Sequence, residues 1–237
     1  MIFGAILAGG IGSRMQTADM PKQFLNLGDR PIVIHTLEKF LANSRFECVL
    51  IGVHKDWSSH MEDLIAKYIP RPMASRVRVV VGGSDRNGTI LNIIYAIETE
   101  YSEHDDHVIV THDSVRPFVT SRMIEENINA AIQYGAVDTV VSAVDTIVMS
   151  NDGVTITEIP DRTKMYQGQT PQSFRIKILK ELYASLSNEE KAILTDACKI
   201  CVIRNHPVHL IEGSVTNLKI TTPGDLKIAQ ALVEGAI

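Results

Sequence analysis

The 237-residue chain is poor in cysteine, has no long apolar run and carries no surplus of positive charge. Three thiols at irregular positions, Cys48, Cys198 and Cys201, are too few for a disulfide framework. The closely spaced Cys198 and Cys201 have no second ligand pair to complete a zinc site, so a place in the core suits them better. No stretch reaches the ~20 apolar residues a bilayer span requires. No basic, then apolar, then cleavable leader is apparent. A reduced, cytoplasmic setting away from membranes is the expectation. A formal net charge of −5 argues against a dedicated nucleic-acid binder, which presents a basic face. It leaves room for a local basic pocket. No Ser–His–Asp order and no paired glutamates stand out, so nucleophilic and glycosidic chemistry lack support.

What is present is an alternation of short apolar strands with amphipathic helices. Strands are expected at Ile2–Leu7, Cys48–Val53, Val77–Val81, His107–Thr111 and Val137–Val144. Helices are expected at Pro31–Leu41, Trp57–Tyr68, Thr89–Glu98 and Arg122–Tyr134. Near-continuous apolar strands between such helices indicate a mostly parallel sheet covered on both faces, an α/β doubly wound structure. Between residues 145 and 160 the pattern changes. Asn151-Asp152-Gly153 between apolar stretches reads as a tight turn, hence a β-hairpin arm that projects and packs on a second subunit. Beyond it come helices at Ile176–Leu186 and Asn188–Cys201, and short strands at Val208–Ile211 and Leu218–Ile220. A last helix follows, opened by Thr222-Pro223-Gly224-Asp225 with a capping threonine and proline at the first position. No repeat or linker interrupts the chain, so residues 1–237 read as a single domain with an arm.

The densest chemistry lies at the end of the first strand, in Leu7-Ala8-Gly9-Gly10-Ile11-Gly12-Ser13-Arg14-Met15 followed by Pro21-Lys22-Gln23. Glycines let backbone N–H groups approach an anion, and Arg14 and Lys22 add fixed positive charge. A dinucleotide fingerprint would need a third glycine where Met15 stands, and a phosphate-binding Walker loop would need Gly-Lys-Ser/Thr. Both are missing. An ordinary glycine-rich turn explains the loop without a ligand, yet has no need of two cations beside it.

Three further segments compete between chemistry and structure. Thr111-His112-Asp113-Ser114-Val115-Arg116-Pro117 follows a buried strand, at the sheet end where ligands bind in such folds. There Asp113 suits a substrate hydroxyl or Mg²⁺ and Arg116 suits a phosphate, or the two pair to staple the loop. His112 reads as structural rather than as a base. Gly82-Gly83-Ser84-Asp85-Arg86-Asn87-Gly88-Thr89 suits a nucleobase or ribose, although Ser84 or Asp85 also serves as a helix cap. Lys219 stands inside the otherwise apolar Leu218–Ile220, either beside an anion or turned to solvent.

Taken together, these motifs resemble one cytidylyltransferase family. It includes 2-C-methylerythritol 4-phosphate cytidylyltransferase and the ribitol-5-phosphate cytidylyltransferase of teichoic-acid synthesis. The resemblance runs from Ile2 to about Ala231 and includes Gln169-Thr170-Pro171-Gln172-Ser173-Phe174 and Asn217-Leu218-Lys219-Ile220-Thr221. It implies a Rossmann-like three-layer nucleotidyltransferase fold with a protruding arm. Ser114-Val115, where the methylerythritol branch usually carries Ala-Ala, points to the ribitol-phosphate branch. So do Met165-Tyr166, where that branch usually has a Trp, and Leu194 to Cys201. The resemblance assigns cytosine and ribose to Leu7, Ala8, Gly9, Gly83, Ser84 and Thr89, and the triphosphate to Gly10, Gly12 and Ser13. Arg14, Lys22 and Lys219 become the catalytic cations. Asp113, Arg116, Thr146, Arg162 and Thr170 take the polyol phosphate. Mg²⁺ is the implied cofactor, with Asp113 its one protein ligand because Thr216-Asn217 replaces a second acid near the late lysine. The implied partners are CTP, a polyol phosphate, a second copy of the chain that receives Arg162, and a polyol-phosphate dehydrogenase. Two other classes stay open: an NAD-dependent oxidoreductase, and a non-catalytic scaffold for such a dehydrogenase.

Overall fold

The structure is a computed structural model that describes residues 1–10 and 20–235. In chain order its strands are β1 (Ile2–Ala8), β2 (Asn26–Leu27), β3 (Arg30–Pro31), β4 (Cys48–Val53), β5 (Val77–Val81), β6 (Val108–Asp113), β7 (Ala136–Ser142), β8 (Tyr166–Arg175) and β9 (His209–Glu212). The helices are α1 (Ile32–Leu41), α2 (Ser58–Tyr68), α3 (Arg71–Ala74), α4 (Arg86–Tyr101), α5 (Ser121–Tyr134), α6 (Ile176–Ala184), α7 (Asn188–Ala192), α8 (Cys198–Ile203) and α9 (Pro223–Val233).

Seven strands make one sheet in the order β5-β4-β1-β6-β8-β7-β9, and β2 pairs with β3 as a separate ribbon. Every neighbouring pair in the large sheet is parallel except the two made by β8, which runs against β6 and β7. β4 and β6 are buried at every position, as strands covered on both faces must be. Side chains of β1 alternate between the two layers. Ile6 and Ala8 join α1, α2 and α5 around Leu37, Phe40, Met61 and Ile128. Phe3 and Ala5 join α4, α6 and α8 around Ile93, Ile97, Leu179 and Cys201. A third cluster, Leu27, Ile32, Val115, Ile220 and Ala229, fastens α9 beside the carboxyl ends of the strands. This is the expected mostly parallel three-layer fold. No helix among the described residues is long and apolar enough to cross a membrane.

Helix ends follow local chemistry. Asp85 caps α4 by accepting the Gly88 N–H at 2.8 Å, so the helix starts three residues before the expected Thr89. Thr222 and Asp225 form a capping box on α9, with Pro223 in its first turn. Two expectations need correction. The single helix over Asn188–Cys201 is two, α7 and α8, and Asp196 accepts the Lys199 amide where the second begins. Leu218–Ile220 is not a strand: its ladder-like bond runs from Ile220 N–H to the Val115 carbonyl, and Leu218 and Ile220 pack with Leu27, Ile32 and Ala229. Between residues 145 and 160 the chain does double back, about a turn in which Gly153 has φ +74°. The hairpin is held by a single antiparallel bridge, Met149 to Glu158, and by Asp152 accepting from Val154, Thr155 and Ser150, rather than by two full strands.

The chain leaves β1 for α1 on one face, and returns to β6 beside it through α4 on the other. A crevice therefore opens at the carboxyl ends of β1 and β6, where open α/β sheets bind ligands.

Candidate active site

A cleft of about 370 Å³ occupies that crevice. Its floor is the end of β1, with Leu7, Gly9 and Gly10; one wall is Lys22 and Gln23; another is Gly83 to Arg86 with Thr89; the far end is Asp113, Ser114, Val115 and Lys219.

The first wall is tied to the floor by one side chain. Buried Gln23 donates from Nε2 to the carbonyls of Ala8 and Gly10, at 2.7 and 2.9 Å. This holds the Lys22–Phe24 turn against the glycine segment and sets Lys22 on the cleft edge. The second wall folds back on itself. Thr89 Oγ1 accepts the Gly83 N–H at 3.0 Å and donates to the Asp85 carbonyl at 2.9 Å. A Cβ at Gly83 would stand 2.5 Å from the Gly88 carbonyl carbon, so only glycine fits that approach.

The far end is built around one carboxylate. Asp113 Oδ2 lies 2.9 Å from Lys219 Nζ and 3.5 Å from Arg116 Nε, while Oδ1 lies 3.6 Å from Arg86 Nε. Burial would raise the Asp113 pKa, but Arg86, Lys219 and Arg116 together outweigh it and hold the carboxyl well below its usual range. Arg116 is buried beneath, its Nη1 donating to the Asn217 carbonyl at 2.8 Å, which bends the segment carrying Lys219 towards Asp113. Arg86 also lines the cleft, and its Nη1 is a buried donor without a hydrogen-bond acceptor among the described residues. His112, fully buried behind Asp113, is pushed down to about 4 by burial and is neutral near pH 7. Its depth removes it as a base for anything in the cleft.

The fold thus brings together most of the residues singled out in the sequence. Leu7, Gly9, Gly10, Lys22, Gly83, Ser84, Thr89, Asp113 and Lys219 share one cleft. Ala8 lies under the floor and contributes its carbonyl to Gln23. Thr170 is buried behind Asp113, whose amide it accepts at 3.2 Å. Thr146 and Arg162 are exposed at the base of the arm, outside the cleft, where Arg162 Nη1 donates to the Val144 carbonyl at 2.7 Å. Gly12, Ser13 and Arg14 lie outside the described residues. Arg86 and Gln23 received no role from the sequence, although both sit inside motifs already noted: Gly-Gly-Ser-Asp-Arg and Pro-Lys-Gln.

The described residues do not fit a metal held by the protein. Among them no three His, Cys, Asp or Glu side chains cluster for a metal, and three cations already surround Asp113. A further positive ion at that carboxylate would meet repulsion from all three. The cleft instead combines backbone amides, a glycine floor and the cations Lys22, Arg86 and Lys219, which is the equipment for binding and neutralising a polyphosphate.

The profile of the 2-C-methyl-D-erythritol 4-phosphate cytidylyltransferase family, IspD, matches residues 2–235. Three solved structures are similar over nearly their whole length. A 4-diphosphocytidyl-2C-methyl-D-erythritol synthase from Anaerococcus prevotii is 25% identical, with a TM-score of 0.79 and 98% of each chain covered. The 2-C-methyl-D-erythritol 4-phosphate cytidylyltransferase of Francisella tularensis is 25% identical, at TM-score 0.78, with 96% of this chain and 97% of that one covered. That of Thermus thermophilus is 25% identical, at TM-score 0.73, covering 99% of this chain and all of its own.

Proposed function

The chain belongs to the 2-C-methyl-D-erythritol 4-phosphate cytidylyltransferase family, and on that premise we propose D-ribitol 5-phosphate as the acceptor to which it transfers a cytidylyl group from CTP. The products are CDP-ribitol and pyrophosphate. The observation that carries cytidylyl transfer is the continuity of one cleft from the Gly83–Thr89 wall to the Asp113–Lys219 pair. A nucleotide lying along it places its α-phosphorus between Lys22 and Lys219.

An oxygen of the acceptor phosphate attacks that phosphorus. The bond to the β-phosphate breaks, and pyrophosphate leaves with the electron pair. Two anions must meet, so the residues contribute charge and alignment and form no covalent intermediate. Leu7, Ala8, Gly9, Gly83, Ser84 and Thr89 bound the nucleoside. Gly10, with Gly12 and Ser13, approaches the triphosphate. Arg14, Lys22 and Lys219 neutralise charge on the phosphoryl oxygens. Asp113 accepts hydrogen bonds from acceptor hydroxyls, with Arg116 and Thr170 supporting it from behind. Mg²⁺ would be held by the nucleotide phosphates rather than by a set of protein ligands among the described residues, and would supply further charge neutralisation. Thr146 and Arg162, distant from their own cleft, serve the cleft of a second copy in a homodimer formed through the arm. The arm's apolar residues favour that assembly: Val154 is 87% exposed and Ile156 and Ile159 are each 60% exposed.

Two acceptors compete. The family and the similar structures bear the name of methylerythritol phosphate, and by themselves back that acceptor better. Ribitol 5-phosphate is favoured by the acceptor end of the cleft, lined by Ser114 and Val115 beside Asp113 in place of two alanines. Pyrophosphate release from CTP with each polyol phosphate separates them. Turnover of ribitol 5-phosphate is expected. Turnover of methylerythritol phosphate alone reverses the acceptor, and turnover of neither revives a non-catalytic partner of a polyol-phosphate dehydrogenase.

A further inference from the structure

The buried side of the Asp113 loop carries a chain of hydrogen bonds that continues past Thr170 to His112, which has no role so far. His112 Nε2 lies 3.0 Å from the Arg116 carbonyl oxygen, and Nδ1 lies 2.9 Å from Thr170 Oγ1. A carbonyl only accepts, so Nε2 must carry the ring proton, and the neutral ring leaves Nδ1 as an acceptor. Thr170 therefore spends its single hydroxyl proton on Nδ1. The same oxygen accepts the Asp113 N–H at 3.2 Å. Every proton has a place: Asp113 N–H to Thr170 O–H, on to the His112 ring, and from its far side to the Arg116 carbonyl. Residues 113 to 116 are thereby closed into a loop held at both ends. Those ends bear the carboxylate and the guanidinium of the far end of the cleft.

We propose that His112 and Thr170 are positioning residues, which lock one imidazole tautomer and through it aim Asp113 at the acceptor. Thr170 then acts on the acceptor through Asp113, without touching it. Three observations favour this over direct contact. Thr170 is 4% exposed, it does not line the cleft, and its donor is already committed. His112 has no surface at all and packs its ring on Phe40, 5.4 Å between centres. Complete burial favours the uncharged ring, which leaves Nδ1 to accept. The role in acceptor binding rests on the cytidylyltransferase reading; the tautomer does not.

The test has a spectroscopic and a kinetic arm on the full chain. Long-range ¹H–¹⁵N correlation spectra of the wild type should show His112 as the Nε2–H tautomer, and in Thr170→Val that pattern should shift. For whichever of ribitol 5-phosphate and methylerythritol phosphate is turned over, Thr170→Val should lower kcat/KM by about tenfold or more, as expected when a buried donor loses its acceptor. The Kd of CTP should change by less than about twofold, and Thr170→Ser, which keeps the hydroxyl, should recover most of the loss. His112→Asn combined with Thr170→Val should be no worse than the poorer single variant, since both break one chain. The Nδ1–H tautomer in the wild type, an unimpaired Thr170→Val, or additive losses in the double variant would each overturn the proposal. A wild type inactive with both acceptors would instead sink the functional reading, and the tautomer alone would then decide this one.

Discussion

Replacing Lys219 with alanine should separate chemistry from folding. Its ammonium is 2.9 Å from Asp113, yet 40% of the side chain is exposed, so water screens the pair. Asp113 keeps Arg116 at 3.5 Å and Arg86 at 3.6 Å after the change and is not left as an uncompensated buried charge. The expected cost in stability is accordingly no more than about 1 kcal/mol, a fall in Tm of about 2–4 °C for a chain of this size. Turnover responds differently, because a cation fixed beside a developing negative charge is worth far more in the transition state than in the resting protein. Removing one such group typically lowers kcat by about 10²–10³. The assay pairs calorimetric melting with pyrophosphate release at saturating CTP. A kcat within about threefold of wild type would refute the placement of Lys219 at the reacting phosphorus. A collapse of Tm would refute the claim that Asp113 is adequately held without it.

Lys22→Ala should likewise lower kcat by about a hundredfold or more with the fold intact, checked by the same paired assay. Asp113 titrates below its usual range in the folded state, so its contribution to stability is present above pH ~4 and is lost as pH falls through the folded pKa. Asp113→Asn should therefore flatten the acid limb of a Tm–pH curve; an unchanged limb would contradict the ion-pair cluster. Asp138 is the opposite case. Burial lifts its carboxyl to about 6, so stability declines as pH rises from ~4 towards that value. Asp138→Asn, keeping an acceptor for the Gln172 amide, should raise Tm at pH 7 and change it little at pH 4. A charge on the arm, Val154→Asp with Ile156→Asp, should turn a dimer into monomers by sedimentation velocity and reduce turnover. A wild type that sediments as a monomer would remove the arm from the mechanism.

Much of the fold was readable wherever sequence-local chemistry decides it. Apolar runs gave β1, β4, β5, β6, β7 and β9 to within about two residues, but the largely polar run Tyr166–Arg175 hid β8; Thr222, Pro223 and Asp225 announced α9 because a cap is built from neighbours. The glycine segment, Lys22 and Asp113 could be placed at one end of a parallel sheet, since strand order and helix handedness bring loop ends together. Failures came where distant residues decide. Leu218–Ile220 has the composition of a strand, but Ile220 bonds the Val115 carbonyl and Arg116, 101 residues from Asn217, holds the Asn217 carbonyl just before it. Arg86 received no role because nothing local shows that it reaches Asp113. The Thr170 hydroxyl bond to His112, 58 residues away across β6 and β8, has no local signature either. Gln23 joins two segments 15 residues apart through carbonyls, which carry no residue signature.

The most direct test of the central claim is to incubate the protein with CTP and Mg²⁺, with and without D-ribitol 5-phosphate or 2-C-methylerythritol 4-phosphate, and to quantify pyrophosphate and the CDP-polyol. Cytidylyl transfer in this cleft predicts equimolar release of both products, dependent on acceptor and abolished by omitting CTP. Pyrophosphate in the absence of any polyol phosphate, or no product with either acceptor, would contradict it.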